Sequence, residues 1–348
     1  MKFLILGDLH IGARNGNTNF LKMMDSFFHD ELFPFIIENK IDHVIQLGDI
    51  LDKRKGIDFT ISKYLMDDFF SWFEFNRVHL YSLTGNHDMY YRQSLGVDGP
   101  SQFAEKFKYV KIIKKPFVDK RIVYIPWVCD ENKEAVEKFL KENKDPDKIV
   151  VGHFELADFP IQKGFYADKG TLDLKHLKGY HKVLSGHYHS PSEKGNIIYV
   201  GTPYELTWSD YGDNKRFFVY DNESKTLEEH PTHIRLYHKI FYHDGIILHK
   251  EQYRASYVSV VIEQDYDEKK LEKFLKELDT VEPISVIVTD KRNRQQELTE
   301  EEISSADITN PIHIMLSQVD NDVENDEVRS LVKTLTAEIY QKAQEAMR

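Results

Sequence analysis

Five short apolar segments of this chain each end in a glycine that is followed at once by a side chain able to bind metal. They read LILGDLH (Gly7, Asp8, His10), VIQLGDI (Gly48, Asp49), SLTGNHD (Gly85, Asn86, His87), IVVGHFE (Gly152, His153) and VLSGHYH (Gly186, His187, His189). Glycine allows backbone angles that other residues avoid, so a strand can turn sharply there. In an α/β sheet, ligands bind beyond the carboxyl ends of the strands. Five such ends from neighbouring strands therefore predict one shared site.

The donors in these segments are oxygen and nitrogen atoms. They comprise two carboxylates, one amide and four imidazoles, from Asp8, His10, Asp49, Asn86, His153, His187 and His189. Such mixed ligation suits Mn, Fe or Zn better than Ca or Mg. Seven donors are too many for one catalytic ion with an open position, but they suffice for two ions if one carboxylate is shared. Two ions about 3.5–4 Å apart can clamp a phosphate and provide a hydroxide nucleophile near neutral pH.

Apolar periodicity indicates the class of fold. Short β-branched runs alternate with the segments FLKMMDSFFHDELFPFIIENK, TISKYLMDDFFSWFEFN and ENKEAVEKFLKEN, whose spacing predicts amphipathic helices. This alternation is typical of an α/β domain. The strands expected between about 182 and 220 follow one another closely, which favours an antiparallel or mixed arrangement. Further on, SYVSVVIEQD, DEKKLEKFLKELD and PISVIVTD predict a small strand–helix–strand module.

Charge and composition restrict the partners and the compartment. The net charge of −12 is unfavourable for binding a polyanion, although residues 297–327 contribute ten acids and no Lys or Arg. Two bound divalent cations would add local positive charge. The single cysteine, Cys129, excludes an intrachain disulfide, and no apolar run is long enough to span a bilayer. We expect a cytoplasmic protein that does not bind membranes.

The ordered strings GDLH, GDILDKR, GNHD, GHFE and GHYH resemble those of the calcineurin-like metallophosphoesterases. VYIPWV and NIIYVGTPYELTWSDYGDNKRFFVYD narrow the resemblance to SbcD-type nuclease subunits of double-strand-break repair complexes, including those of T-even-type phages. The resemblance implies an α/β fold, namely a β-sandwich flanked by helices with a small α/β cap and a helical C-terminal tail. It implies a nuclease domain over 1–235, a capping domain over 236–296, and an acidic linker and partner-docking helix over 297–348.

The resemblance also implies a role for each site residue. Asp8, His10 and His189 would hold one ion, Asn86, His153 and His187 the other, with Asp49 bridging. His87 would stabilise the pentacovalent phosphate or protonate the departing 3′ oxygen, and Asp88 would orient a neighbouring side chain. Archaeal and eukaryotic relatives carry His where this chain has Asp52, so no role is assigned to that position. Candidate DNA contacts are Lys53, Arg54, Lys55, Tyr91 and Arg92.

Three functions remain open at this point. The first is a Mn²⁺-dependent DNA nuclease (with Mg²⁺ as a possible substitute). It would digest duplex ends and cut single strands in recombination, repair and replication. It would work as a homodimer within a heterotetramer with an SMC-like, SbcC-type ATPase, in the host cytoplasm if the protein is a phage one. The second is a phosphatase or cyclic-nucleotide phosphodiesterase with the same centre, and the third is a non-catalytic scaffold. The predicted cap and tail favour the first, and the full donor set disfavours the third.

Overall fold

The computed structural model describes residues 1–162 and 165–292, and its main feature is a pair of six-stranded sheets. The strands of the first sheet are β1 (Lys2–Leu6), β2 (His43–Gln46), β3 (His79–Leu83), β4 (Val110–Ile113), β13 (Arg216–Asp221) and β14 (Leu227–Pro231). Their spatial order is β14-β13-β1-β2-β3-β4. Strands β1 to β4 run parallel, and β13 and β14 complete the sheet in antiparallel pairs.

The second sheet is also mixed. Its strands are β5 (Phe117–Asp119), β6 (Ile122–Ile125), β7 (Ile149–His153), β10 (Lys182–Gly186), β11 (Ser192–Lys194) and β12 (Ile197–Tyr199). Their order is β11-β12-β10-β7-β6-β5, with parallel pairing from β6 through β7 and β10 to β12 and antiparallel edges. The later strands are thus mixed, as the sequence suggested.

The two sheets face each other across an apolar core. Side chains of a strand alternate between its faces, so Phe3 and Ile5 of β1 point into this core while Leu4 and Leu6 point to the helices on the other side. The second sheet contributes Tyr124, Val151 and Leu184, among others, to the same core. The architecture is therefore a β-sandwich covered by helices on its outer faces.

Two long helical segments cover the outer face of the first sheet, where the amphipathic pattern predicted them. Each contains a π-helical turn, and together they comprise α2 (Thr18–Ser26), a π-helix (Phe27–Leu32), α3 (Phe33–Glu38), α4 (Phe59–Tyr64), a π-helix (Leu65–Phe69) and α5 (Phe70–Asn76). Asn17 caps the first segment by accepting the amides of Asn19 and Phe20, and Asp58 caps the second by accepting the amide of Thr60. Buried aromatic side chains of both segments pack on the sheet.

The remaining helices are shorter. They are α1 (Ala13–Gly16), α6 (Gly99–Ala104), α7 (Lys133–Glu142), α8 (Glu268–Asp279) and 3₁₀ turns at Leu174–His176, Trp208–Asp210 and Lys250–Tyr253. Helix α7 buries Val136 and Leu140 against the outer face of the second sheet. In α1, Arg14 and Asn15 have left-handed backbone angles, so this element is a turn rather than a regular helix.

A hairpin and a small sheet complete the described fold. The hairpin pairs β8 (Pro160–Gln162) with β9 (Phe165–Tyr166), and the small sheet has the order β15 (Tyr237–Tyr242), β16 (Tyr257–Ile262), β17 (Ser285–Asp290). Strand β16, helix α8 and strand β17 match the predicted strand–helix–strand module. Strands β4, β5, β8, β9, β11, β14 and β15 were not predicted from the sequence.

The described residues divide into two units, one formed by 1–162, 165–260 and 266–288, the other by 261–265 and 289–292. In the described part of the second unit, Arg292 pairs with Asp265 and Asp290. The proposed division at 235 and 296 stays a prediction, and the tail over 297–348 lies outside the described residues. Among residues 1–162 and 165–292, no helix has the length and apolarity needed to cross a membrane.

The contact between the two sheets can be tested at Ile5. Ile5 is fully buried between them, so replacing it with Ala removes apolar contacts and leaves a cavity. We expect I5A to lower the free energy of unfolding by about 2–5 kcal/mol, measured by urea denaturation followed by circular dichroism. I37A is the matched control because Ile37 is 53% exposed, and its expected effect is within about 0.5 kcal/mol. Equal effects of the two substitutions would contradict the sandwich core.

Candidate metal centre

The carboxyl ends of five strands from both sheets meet at one edge of the sandwich. Strands β1, β2 and β3 of the first sheet lead into the segments of Asp8, Asp49 and Asn86, and β7 and β10 of the second sheet lead to His153 and His187. The five segments therefore follow strands of two facing sheets rather than of a single sheet. The site is built between two sheets, and each sheet contributes part of the donor set.

One group of donors comes from Asp8, His10 and His189, whose candidate ligand atoms all lie within 4.8 Å of one another. The Nε2 atoms of His10 and His189 are 3.0 Å apart. Two backbone contacts hold Asp8, because the amide of His187 donates to its carboxylate oxygens at 2.9 and 3.1 Å. The first and second sheets are thus linked through a carboxylate of the site itself.

A second group comes from Asp49, His153 and His187, again with ligand atoms within 4.8 Å of one another. His153 Nε2 lies 3.1 Å from Asn86 Oδ1 and 3.4 Å from Asp49 Oδ2. His153 Nδ1 donates to the carbonyl of Leu47 at 2.8 Å, which orients the ring so that Nε2 faces the other donors. Asn86 therefore belongs to the same end of the site as His153 and His187.

Asp49 lies between the two groups. Its Oδ2 is 3.8 Å from His10 Nε2 and 3.4 Å from His153 Nε2, and its Oδ1 accepts the backbone amide of His87 at 2.7 Å. Asp49 also belongs to a third possible ligand group, with His10 and His87. This central place is the one that a shared carboxylate would need.

Burial sets the electrostatics of the site. Burial raises the pKa of Asp8, and the charge of Asp49 adds to the effect. Burial alone would lower the pKa of His153, but the carboxylates of Asp49 and Asp8 outweigh it and raise that pKa to about 9. Burial lowers the pKa of His189, and the imidazole of His10 lowers it further. The pocket thus concentrates negative charge that favours cations, while His189 keeps a neutral nitrogen available as a ligand.

Unusual backbone angles occur at three of the predicted ligands. His10, Asp49 and His187 have φ values of 48°, 56° and 89°, which non-glycine residues rarely adopt. Such conformations cost about 1–3 kcal/mol each and concentrate at functional sites. Here the unusual backbone angles direct the side chains of His10, Asp49 and His187 into the pocket.

Two glycines leave room for the donors. A Cβ atom added at Gly186 would overlap Asp8 Oδ1, and one added at Gly85 would overlap the carboxylate and the amide of Asp49. Neither position has the left-handed φ that requires glycine, so space is the reason for glycine at both. The glycines after the strands therefore serve close packing as much as turning.

The residues present fit divalent metal ions. The donors are carboxylate and amide oxygens with imidazole nitrogens, the set preferred by borderline transition metals. His187 Nδ1 is buried and makes no hydrogen bond to any described residue, which leaves a nitrogen lone pair unused beside the second group. Among the described residues, three groups of this kind overlap, the first two sharing His10 and the last two sharing Asp49, and each group could hold a metal ion.

His87 and Asp88 differ in their surroundings. His87 Nδ1 donates to the carbonyl of Asp52 at 2.6 Å, so Nε2 is the nitrogen left for other contacts. Asp88 accepts the backbone amides of Asp49, Gly85 and Leu51 at 2.8, 2.9 and 3.0 Å. Asp88 therefore orients the backbone of the Asp49 segment, whereas the sequence suggested that it would orient a neighbouring side chain.

Sequence reasoning missed residues that support the site. Asp52 Oδ1 lies 3.3 Å from His10 Nδ1, so Asp52 contacts one predicted ligand through its side chain and His87 through its carbonyl. Buried Gln46 bonds to the carbonyl of Gly7 and to both backbone groups of Gly48, and it accepts the hydroxyl of Ser82. The position of Asp52 three residues after Asp49 and the polar Gln46 in an apolar strand were the available signals.

The predicted DNA contacts fall into two groups. Arg54 donates to the carbonyl of Asn86 at 3.0 Å, and Arg92 pairs with Glu155 at 2.7 Å, so both already have protein partners. Lys53 and Lys55 are exposed beside the Asp49 segment, and Tyr91 is 61% exposed. Arg92 is also exposed, with 43% of its side-chain surface accessible, whereas Arg54 is only partly exposed and is the least available of the five to a large ligand.

A helix-covered sandwich of two mixed sheets, with buried carboxylates and imidazoles at one edge, is the architecture of a metal-dependent phosphoesterase. Comparison with family models matches residues 1–191 to the calcineurin-like phosphoesterases. The chain belongs to this family and is a metal-dependent phosphodiesterase.

Individual proteins extend the comparison beyond the matched region. The chain is 31% identical over 286 residues to exonuclease subunit 1 of Enterobacteria phage T4, covering 81% of this chain and 82% of that protein. It is 21% identical over 248 residues to the DNA double-strand break repair protein Mre11 of Nanoarchaeum equitans, covering 63% and 65%. A solved archaeal phosphodiesterase aligns with a TM-score of 0.33 and 13% identity over 66% of this chain and 99% of that one.

Gly186 offers a test of the close packing in the site. In G186A the new methyl group would overlap the Asp8 carboxylate and crowd the carbonyl of Leu47 and the ring of His153, so we expect at least a ~10-fold loss of Mn²⁺ affinity. The measurement is titration calorimetry with MnCl₂, with circular dichroism as the check on folding. G56A is the matched control, because a Cβ at Gly56 meets no atom within 4 Å. Unchanged affinity in G186A would show that the glycine is not needed for space.

Proposed function

We propose that this protein is a Mn²⁺-dependent DNA nuclease that digests duplex ends and cuts single strands. The observation that carries the proposal is the convergence of seven donors and His87 from five strand ends on one buried edge of the sandwich. The relation to a phage exonuclease subunit and to Mre11 favours DNA over small phosphate esters as the substrate. Digestion of DNA by such an enzyme would serve recombination, repair and replication.

The proposed ligand assignment follows the two groups. Asp8, His10 and His189 hold one ion, Asn86, His153 and His187 hold the other, and Asp49 contacts both. The distances of 3.1 Å from His153 Nε2 to Asn86 Oδ1 and 3.0 Å between His10 Nε2 and His189 Nε2 support this division. When bound, the ions supply Lewis-acid stabilisation of the phosphodiester and lower the pKa of water.

His87 supplies the acid of the proposed reaction. Its ring is fixed by the bond from Nδ1 to the carbonyl of Asp52, so a proton on Nε2 faces outward from that contact. Burial lowers the pKa of His87, which makes its protonated form a stronger acid. Nε2 would therefore bond to the developing charge on the phosphate or transfer its proton to the departing 3′ oxygen.

Nucleic acid would be held chiefly by the exposed side chains of Lys53, Lys55 and Tyr91. Arg54 and Arg92 would contribute less, because each already binds a protein group, Arg54 the carbonyl of Asn86 and Arg92 the carboxylate of Glu155. With a net charge of −12, the chain is expected to bind DNA weakly on its own. We therefore propose an SMC-like, SbcC-type ATPase as the partner, a homodimer within a heterotetramer as the assembly, and the cytoplasm as the location.

His87 and Asp49 test the assignment by opposite effects. We expect H87A to keep both ions and to slow the shortening of a linear, end-labelled duplex in Mn²⁺ by about 10²–10⁴-fold, because only the acid is lost. We expect D49A to lose metal as well, because the shared carboxylate is gone. Metal content is measured by mass spectrometry of the dialysed proteins, and cutting by electrophoresis.

Matched controls are H243A and D30A, which change exposed residues outside the site and should leave cutting and metal content unchanged. Equal metal content in H87A and D49A would contradict the shared role of Asp49. Hydrolysis of a chromogenic phosphate ester with intact DNA would instead indicate a phosphatase. Bound metal with neither activity would indicate a scaffold.

A further inference from the structure

A lysine without exposed surface lies directly behind one of the proposed metal ligands. Lys215 is 0% exposed, which is rare for a lysine because removing an ammonium group from water is costly. Its Nζ donates to the carbonyl of His189 at 3.1 Å, to Thr202 Oγ1 at 2.9 Å and to Asp210 Oδ1 at 2.9 Å. All three hydrogen atoms of the ammonium group therefore have an acceptor.

Two buried carboxylates compensate the charge. Besides the contact with Asp210, Asp213 Oδ2 lies 3.5 Å from Nζ and accepts the hydroxyl of Ser190 at 3.1 Å. Asp210 Oδ2 is fixed in turn by the amides of Leu206 and Thr207 at 2.9 and 2.8 Å. Such a network keeps one geometry, because displacing any member leaves a buried charge unpaired.

The network belongs to the segment that connects the two sheets, residues 200–215, which we call the crossover segment. It begins after β12 of the second sheet and ends before β13 of the first. The amide of Thr202 donates to the carbonyl of His189 at 3.1 Å, and the Tyr204 hydroxyl donates to the carbonyl of Leu9 at 2.6 Å. The crossover segment therefore bonds to the backbone of both ligand loops of the first group.

We propose that Lys215 is a positioning residue. It holds the His189 loop where the His189 side chain lies beside Asp8 and His10. The inference rests on the proposed ligand assignment. The ion held by Asp8, His10 and His189 needs donors from two different sheets, and Lys215 fixes the loop that comes from the second sheet. Of the other group, Asn86 and His153 lie outside this network, and His153 is fixed by its own bond to Leu47. Only His187 shares the His189 loop, so the other ion should depend less on Lys215.

A purely structural role for Lys215 would have a different signature. Replacing a buried, paired lysine destabilises a fold whatever the function of that fold. A general loss of stability would weaken both ions to a similar degree, whereas loss of positioning weakens mainly the ion of Asp8, His10 and His189. The number and the separate affinities of the bound ions therefore distinguish the two roles.

The test is titration of K215M with MnCl₂ by calorimetry, followed by electron paramagnetic resonance of the loaded protein. Wild type should bind two ions and give the signal of a coupled pair. K215M should bind the ion of Asp8, His10 and His189 about 10–100-fold more weakly and the other ion with a clearly smaller loss, and at limiting Mn²⁺ it should give mainly the signal of a single ion. K138M is the matched control, because Lys138 is exposed on α7.

Thr202 provides a milder pair of variants if K215M fails to fold. T202V removes one acceptor of Lys215 and should weaken the same ion, and T202S keeps the hydroxyl and should restore its affinity. Wild-type affinities in K215M or T202V, or an equal loss at both ions, would overturn the inference. If wild type binds two ions but does not cut DNA, the proposed nuclease function is rejected. The metal affinities of the variants can still be compared with that of wild type in this case. No Mn²⁺ bound by wild type would reject both.

Discussion

Three carboxylates buried in one pocket are the constraint on which this structure depends. Asp8, Asp49 and Asp88 are each at most 1% exposed, and isolated buried charges of one sign would destabilise the fold. Asp88 is compensated by three backbone amides and Asp8 by the amide of His187. Asp49 bonds to the amide of His87 and lies among imidazoles. Backbone amides of the loops thus stabilise the buried carboxylates, and the negative charge that results is what a cation site requires.

The sandwich explains why this charge can be assembled at all. Parallel strands deliver their following loops to a common edge, and two facing sheets double the number of loops that reach it. Asp8 and His187 come from different sheets and still bond to each other. The crossover segment ties the same two loops together through Tyr204 and Lys215. The geometry of the site therefore depends on how the two sheets pack. Core substitutions far from the donors should also affect metal binding.

Local patterns predicted much of this. The strand–glycine–donor strings identified the candidate ligands, and apolar spacing located the long helices and the strand–helix–strand module. The features that these patterns did not predict depend on contacts between residues distant in the sequence. Three-residue strands such as β5 and β11 show too little alternation to be recognised, and membership of two sheets is not encoded in any single segment. Asp52, Gln46 and Lys215 acquire their roles only through partners brought near by folding.

Anomalous diffraction from a crystal grown with Mn²⁺ tests the central claim most directly, because it locates the ions and their donors at once. The account predicts two anomalous peaks in the pocket, one contacted by Asp8, His10 and His189, the other by Asn86, His153 and His187, with Asp49 touching both. Peaks elsewhere on the protein, or a pocket without peaks in which Asn86 and His153 point away from Asp49, would contradict it.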